Sequence, residues 1–155
     1  MTPKTSVKIL IADDHPVFRR GLRQILEADS ALRVIDEASN GREAINILER
    51  TAPDVVILDV DMPEVNGLDV IRHIRRHDLP VEIVVLTMYR EEYMFNKTMD
   101  LGIRGYVLKE SAVSDILAGV RSAAAGKYYV SPSITDFLVR RGARSMASPA
   151  IRVGF

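Results

Sequence analysis

Five short apolar runs, rich in β-branched residues, recur along the chain at 7–12, 32–38, 55–58, 83–86 and 105–108. Runs such as VVIL and IVVL are continuous rather than alternating, so both faces of each strand need apolar cover, as in a parallel sheet. The intervening segments carry apolar residues at helical spacing. Phe18, Leu22 and Ile25 mark a first helix opened by Asp14, His15 and Pro16, with the proline in the favoured first turn. Ala44, Ile45 and Leu48 mark a second, and Leu68, Ile71 and Ile74 a third. A less apolar fourth covers 91–101, with Met94, Thr98 and Leu101 facing inward, and Ile116, Val120 and Ala124 mark a fifth that Gly126 stops. Strand and helix in alternation imply right-handed crossovers and an α/β fold, a doubly wound sheet. The expected strand order is the flavodoxin-like 2-1-3-4-5.

Composition narrows the function. There are no cysteines, which excludes disulfides and thiolate metal sites and fits a cytoplasmic setting. No apolar stretch is long enough for a signal peptide or a membrane span, so no membrane partner is expected. The net charge of zero hides an asymmetry: residues 140–155 hold Arg140, Arg141, Arg144 and Arg152 and no acid. Without them 17 basic residues face 21 acidic ones, a net of −4, which disfavours nucleic-acid binding by the folded part. The expected division is a main domain over 1–125, then 126–155 as a linker. Ser131–Pro132 would cap a short helix through Val139, followed by a basic, irregular tail.

Ligands of such sheets bind outside the carboxyl ends of the strands, near the point where strand order reverses. Asp13 and Asp14 follow the first strand, Asp59 the third, Thr87 the fourth and Lys109 the fifth. Three carboxylates in one crevice repel one another unless a cation sits among them. With oxygen ligands, no cysteine and few histidines, Mg²⁺ suits the site better than zinc. One carboxylate is then free to attack a phosphoryl group, with Lys109 and the Thr87 hydroxyl on its oxygens.

The stretches ILIADDHPVFRRGL, DVVILDVDMPEVNGLDVI, VVLTMYREEYMFNKTMDLGIRGYVLKES and AAAGKYYVSPSIT resemble response-regulator receiver domains of two-component signalling, specifically the NarL/FixJ (LuxR-type) branch. The resemblance covers residues 7–139. It implies that Asp59 is the phosphoacceptor, with Thr87 and Lys109 holding the phosphoryl oxygens. It implies Mg²⁺ held by Asp14, Asp59 and the backbone carbonyl of Asp61, with Asp13 acting through a water. It implies a switch in which Tyr106 turns inward as Thr87 moves, and a loop in which Pro63 and Gly67 follow the acceptor, the glycine for its backbone freedom. The implied partners are a sensor histidine kinase, a second copy on phosphorylation, and DNA through a helix-turn-helix output domain. Only 16 residues follow Val139, too few for that domain, so the chain is expected to be either a truncated receiver, which the linker-like 126–139 favours, or a natural single-domain form. Glu110 stands where most receivers have proline, which puts a cis bond there in doubt, and Met88 stands where many carry a smaller residue. Asp61 and Tyr89 would flank the entering water and tune phosphoryl loss; decay rates of substituted chains would test this.

Blander roles compete at several positions. His15 at a helix start suits capping or packing. His73 and His77 have zinc-like spacing, but without a third ligand they suit a solvated face. Met88, Met94 and Met99 suit core filling or a partner surface equally, and Tyr106 could be plain core. Asp59–Val60–Asp61 also fits a haloacid-dehalogenase-like phosphatase, although that family places its nucleophile on the first strand. A flavin module would need a phosphate loop after the first strand, where two aspartates stand. A protein-interaction module independent of phosphorylation is a further alternative.

Overall fold

The computed structural model describes residues 6–63 and 65–147, without the side chains of 144–147. The strands are β1 (Val7–Ala12), β2 (Leu32–Ala38), β3 (Val55–Asp59), β4 (Glu82–Thr87), β5 (Gly105–Leu108) and β6 (Tyr129–Val130). The helices are α1 (Pro16–Glu27), α2 (Gly41–Thr51), α3 (Gly67–Arg76), α4 (Glu92–Asp100), α5 (Ala112–Ala124) and α6 (Thr135–Ala147). All strand pairs are parallel, in the order β2-β1-β3-β4-β5-β6. The expected flavodoxin-like order therefore holds, with one more strand at the β5 edge.

Every residue of β3 is buried, which explains its unbroken apolar run. Alternate side chains feed two cores. Ile9, Ile11, Ile57, Val84, Leu86 and Val107 pack under α1 and α5 with Leu22, Leu26, Ile116 and Val120. Leu10, Val56, Leu58, Ile83, Val85 and Tyr106 pack on the other face with Ile47, Ile71, Ile74, Phe95 and Phe137. Burying one such side chain is worth roughly 1.5–3 kcal/mol, so the central strands are the most strongly held part of the sheet.

The helices form because each presents one apolar stripe and has defined ends. Asn40 caps α2 by accepting from Glu43 N, and Asn66 caps α3 in a reciprocal box with Asp69. Gly126, at φ +75°, ends the turn after α5. Several inward positions lie one or two residues from expectation: Ile47 is buried in α2 where Ile45 is half-buried, Phe95 in α4 where Met94 is half-buried, and Ala123 in α5 where Ala124 is exposed. A helix lying on a flat sheet buries a broad stripe, and short windows of sequence do not fix its centre.

Two expectations about the C-terminal segment are corrected. Ser131 makes no side-chain cap, and the short helix expected to stop at Val139 runs to Ala147. Ile134 and Phe137 are buried. Arg140 pairs with Glu92 and Asp136, and Arg141 with Asp100 and Asn96. Helical backbone thus replaces an irregular tail because its arginines find acceptors on α4 and its apolar side chains find the core. Residues 148–155 lie outside the described residues. Among the described residues no helix is long and apolar enough to cross a membrane.

Candidate functional site

Because β1 and β3 are neighbours, their carboxyl ends bring Asp13 and Asp59 together, and both side chains are fully buried. Lys109, on the 3₁₀ turn Lys109–Ser111 just past β5, reaches back between them. Its Nζ lies 2.8 Å from Asp13 Oδ2 and 3.0 Å from Asp59 Oδ2. Asp59 Oδ1 accepts from the Asp61 N–H at 2.8 Å. Asp14 is partly exposed; its Oδ1 is buried and accepts no hydrogen bond among the described residues, with His15 Nδ1 3.2 Å away. His15 immediately precedes α1, but its ring turns to the acids, 3.1 Å from Asp13 Oδ1 and 3.2 Å from Lys109 Nζ. Its backbone N–H donates to Asp13 Oδ1.

One ligand atom each from Asp13, Asp14, His15 and Asp59 falls within 4.8 Å of the others. Among the described residues no other group of three or more such ligands converges. His73 instead pairs with Glu49 at 2.9 Å and packs on His77, so the zinc spacing finds no third ligand. The donor set fits a hard divalent cation: carboxylate oxygens in excess of the one lysine, and a buried Asp14 oxygen that accepts no hydrogen bond among the described residues.

The charge distribution has clear consequences. Burial pushes the Asp59 carboxyl above its ordinary range; the Asp61 N–H and Lys109 oppose this, and the charge of Asp13 adds to it. Burial also works against the Lys109 cation, but Asp13 and Asp59 overcome it and hold its pKa above that of a free lysine. For Asp59 the folded-state pKa exceeds the unfolded one, so the folded protein binds the extra proton. Its cost to stability is absent below the ordinary carboxylate range and grows as pH rises through the folded value. In metal-free buffer, denaturant melts should show stability falling over this window, with a shallower fall in Asp59→Asn. Equal slopes would mean that the Lys109 pair already cancels the burial cost.

Thr87 ends β4, buried, and its Oγ1 accepts from Tyr89 N at 3.1 Å. Tyr106 lies fully inside, edge-on to Phe95, with 5.1 Å between ring centroids. Its phenol is pushed far up, chiefly by burial, with Glu91 and Asp61 adding to the rise and the Thr87 hydroxyl opposing it. Asp61 and Tyr89 are both exposed beside the site. Met88 is exposed, whereas Met99 packs against the core. No peptide bond among the described residues is cis, the Lys109–Glu110 bond included.

Gly67 is present for a different reason than expected. It does not have a positive φ; instead, a Cβ there would lie 2.5 Å from Val60 Cα and 2.7 Å from the Asp59 carbonyl. The need is for close approach of α3 to the strand end that carries Asp59. Sequence reasoning also missed Arg19, whose Nη1 donates to the Asp13 carbonyl at 2.6 Å, and the group Ser111, Asp115 and Ser131 behind Lys109. Asp115 was detectable as the one acid in the α5 stripe of Ala112, Ile116 and Gly119. Ser131 gave no such signal.

Residues 9–121 match the model of the response regulator receiver domain. The nitrate/nitrite response regulator protein homolog of Haemophilus influenzae is 34% identical over 135 residues, 87% of this chain and 65% of that protein. The chain spans less than two thirds of the length of the curated relatives it matches. A two-component response regulator of the LuxR family from Aurantimonas sp. SI85-9A1 superposes with TM-score 0.83 at 29% identity, over 90% of this chain and 99% of that one. The RcsB response regulator of Salmonella typhimurium, solved in a study of its interaction with DNA, superposes with TM-score 0.80 at 31% identity, over 87% and 68%.

Proposed function

The chain belongs to the response regulator receiver domain family, and on that footing we propose that it takes a phosphoryl group on Asp59 and changes a binding surface in response. The observation that carries this is one lysine ammonium shared by two fully buried carboxylates at the carboxyl ends of neighbouring strands. In the step itself an Asp59 carboxylate oxygen forms the new bond to phosphorus while the donor's bond to phosphorus breaks. Lys109 turns from Asp59 to a phosphoryl oxygen, and the Thr87 hydroxyl, whose oxygen accepts from the Tyr89 N–H, donates its hydrogen to another. Burial keeps water away and strengthens both contacts.

Mg²⁺ is the proposed cation. Asp14, Asp59 and the Asp61 carbonyl would hold it, with Asp13 acting through a water. Bound there, it would offset the negative charge that gathers on acceptor and donor. The proposed donor is the phosphohistidine of a sensor histidine kinase in the cytoplasm, and the chain is a stoichiometric acceptor rather than an enzyme with turnover. Thr87 and Tyr106 would form the switch: Tyr106 touches Phe95 of α4, so movement at the phosphoryl site reaches that helix. The proposed output, by likeness to regulators such as RcsB, is control of transcription through a DNA-binding domain, with pairing of two copies on phosphorylation.

Intact mass after incubation with acetyl phosphate tests the proposal. One base-labile phosphoryl group should appear with Mg²⁺ and none in metal-stripped buffer. A folded chain that stays unmodified at high donor and Mg²⁺ concentrations would overturn it.

A further inference from the structure

The turn that carries Lys109 is held from behind by a buried polar group outside the acidic pocket. Ser131 follows β6 and is fully buried. Its backbone N–H donates to the Tyr106 carbonyl at 3.0 Å, the last backbone rung between β6 and β5. Pro132 then turns the chain away, and the next rung is completed by a side chain: the Leu108 N–H donates to Ser131 Oγ at 3.1 Å. Ser131 Oγ in turn donates to Asp115 Oδ2 at 2.9 Å, and Ser111 Oγ donates to the same oxygen at 2.9 Å. The Tyr129 hydroxyl donates to Asp115 Oδ1 at 3.1 Å. Asp115 is therefore a buried carboxylate whose partners among the described residues are three hydroxyls. One comes from Ser111, two residues past Lys109, and two from Tyr129 and Ser131, the latter also holding the Leu108 N–H just before the lysine.

We propose that Ser131 and Asp115 are positioning residues for Lys109, fixing the 108–111 turn so that the ammonium sits between Asp13 and Asp59. This rests on the phosphoacceptor reading. The residues matched to the receiver family end at 121, so half of the device comes from the segment that follows. Among the described residues Ser131 makes no hydrogen bond to Asp13, Asp14 or Asp59; it acts through the backbone of Leu108, one residue before the lysine. Displacing a charged group by a fraction of an ångström is enough to slow a reaction that depends on alignment.

The test uses the full chain and its Ser131→Ala, Ser131→Thr and Asp115→Asn variants, each at a temperature well below its melting point. Ser131→Ala should lower the rate of phosphoryl uptake at saturating Mg²⁺ by about tenfold. The Mg²⁺ concentration for half-maximal uptake should stay unchanged, and Ser131→Thr, which keeps the hydroxyl, should recover most of the rate. Asp115→Asn should fall between them. A second readout needs no phosphoryl transfer: amine labelling of Lys109 relative to Lys97 and Lys127 should rise several-fold in Ser131→Ala. Uptake and labelling both within twofold of the parent would overturn the proposal, as would a shift in Mg²⁺ midpoint equal to the loss in rate. If the parent takes up no phosphoryl group while Lys109 labelling still responds, the phosphoacceptor reading falls and the positioning role stands.

Discussion

Asp59→Asn should take up no phosphoryl group at any donor concentration and, in metal-free buffer, should be more stable than the parent. The first effect follows because an amide oxygen is a poor nucleophile toward phosphorus, and Asp13, the nearest remaining buried acid, sits on another strand. The second follows from the surplus of negative charge. Asp13, Asp14 and Asp59 converge, Lys109 pairs with only two of them, Asp13 and Asp59, and burial already pushes the Asp59 carboxyl toward its neutral form. Asparagine keeps an oxygen for the Asp61 N–H and leaves Lys109 paired with Asp13, so little is left unsatisfied. A gain on the order of 1 kcal/mol is expected, since replacing a buried charge with a neutral group of the same shape is often stabilising. Thermal melts with and without Mg²⁺ measure it; Mg²⁺ should raise the parent's midpoint and leave the variant's nearly unmoved. A variant that melts lower than the metal-free parent would show that the Lys109–Asp59 pair outweighs the repulsion.

A large loss of stability from adding a single methyl group beside Asp59 is expected at Gly67. Its Cβ would meet the backbone of Asp59 and Val60, which has no rotamer to swing aside. Either α3 or the end of β3 must move, and about 3 kcal/mol of stability should go with it. The same movement displaces the acceptor, so phosphoryl uptake should fall even in the fraction that stays folded. Gly21→Ala is the control. Nothing lies within 4 Å of its Cβ, and Gly21 is inside α1, where alanine should add about 0.5–1 kcal/mol. Denaturant melts of the two variants should move in opposite directions; a Gly67→Ala midpoint equal to the parent's would mean that the loop after β3 yields freely.

The strands were legible because burial on both faces forces unbroken apolar runs, and VVIL or IVVL needs no neighbour to be recognised. The site followed from them, since Asp13, Asp14, Asp59, Thr87 and Lys109 all stand where a strand ends. The features that escaped depend on contacts distant in sequence. Two residues of β6 have no periodicity to detect. Ser131 before a proline looks like a cap, and only the fold turns its hydroxyl to Leu108. Arg140 and Arg141 look solvated until α4 supplies Glu92, Asn96 and Asp100. Gly67 was recognised as special, but whether a glycine serves a left-handed backbone or a close approach depends on its neighbours in space.

The short sixth strand also bears on how this chain meets other chains. Without it, β5 would be the sheet's edge, a buried-type strand of Gly105, Tyr106, Val107 and Leu108 with open backbone groups, the kind of border that recruits a foreign strand. Instead Tyr129 N and Ser131 N take the carbonyls of Arg104 and Tyr106, and Ser131 Oγ takes the Leu108 N–H. What remains at the border is two residues long and ends in a proline, too short for another chain to extend in register. The segment proposed to position Lys109 therefore also covers the β5 border of the sheet, leaving β2 as the longer edge.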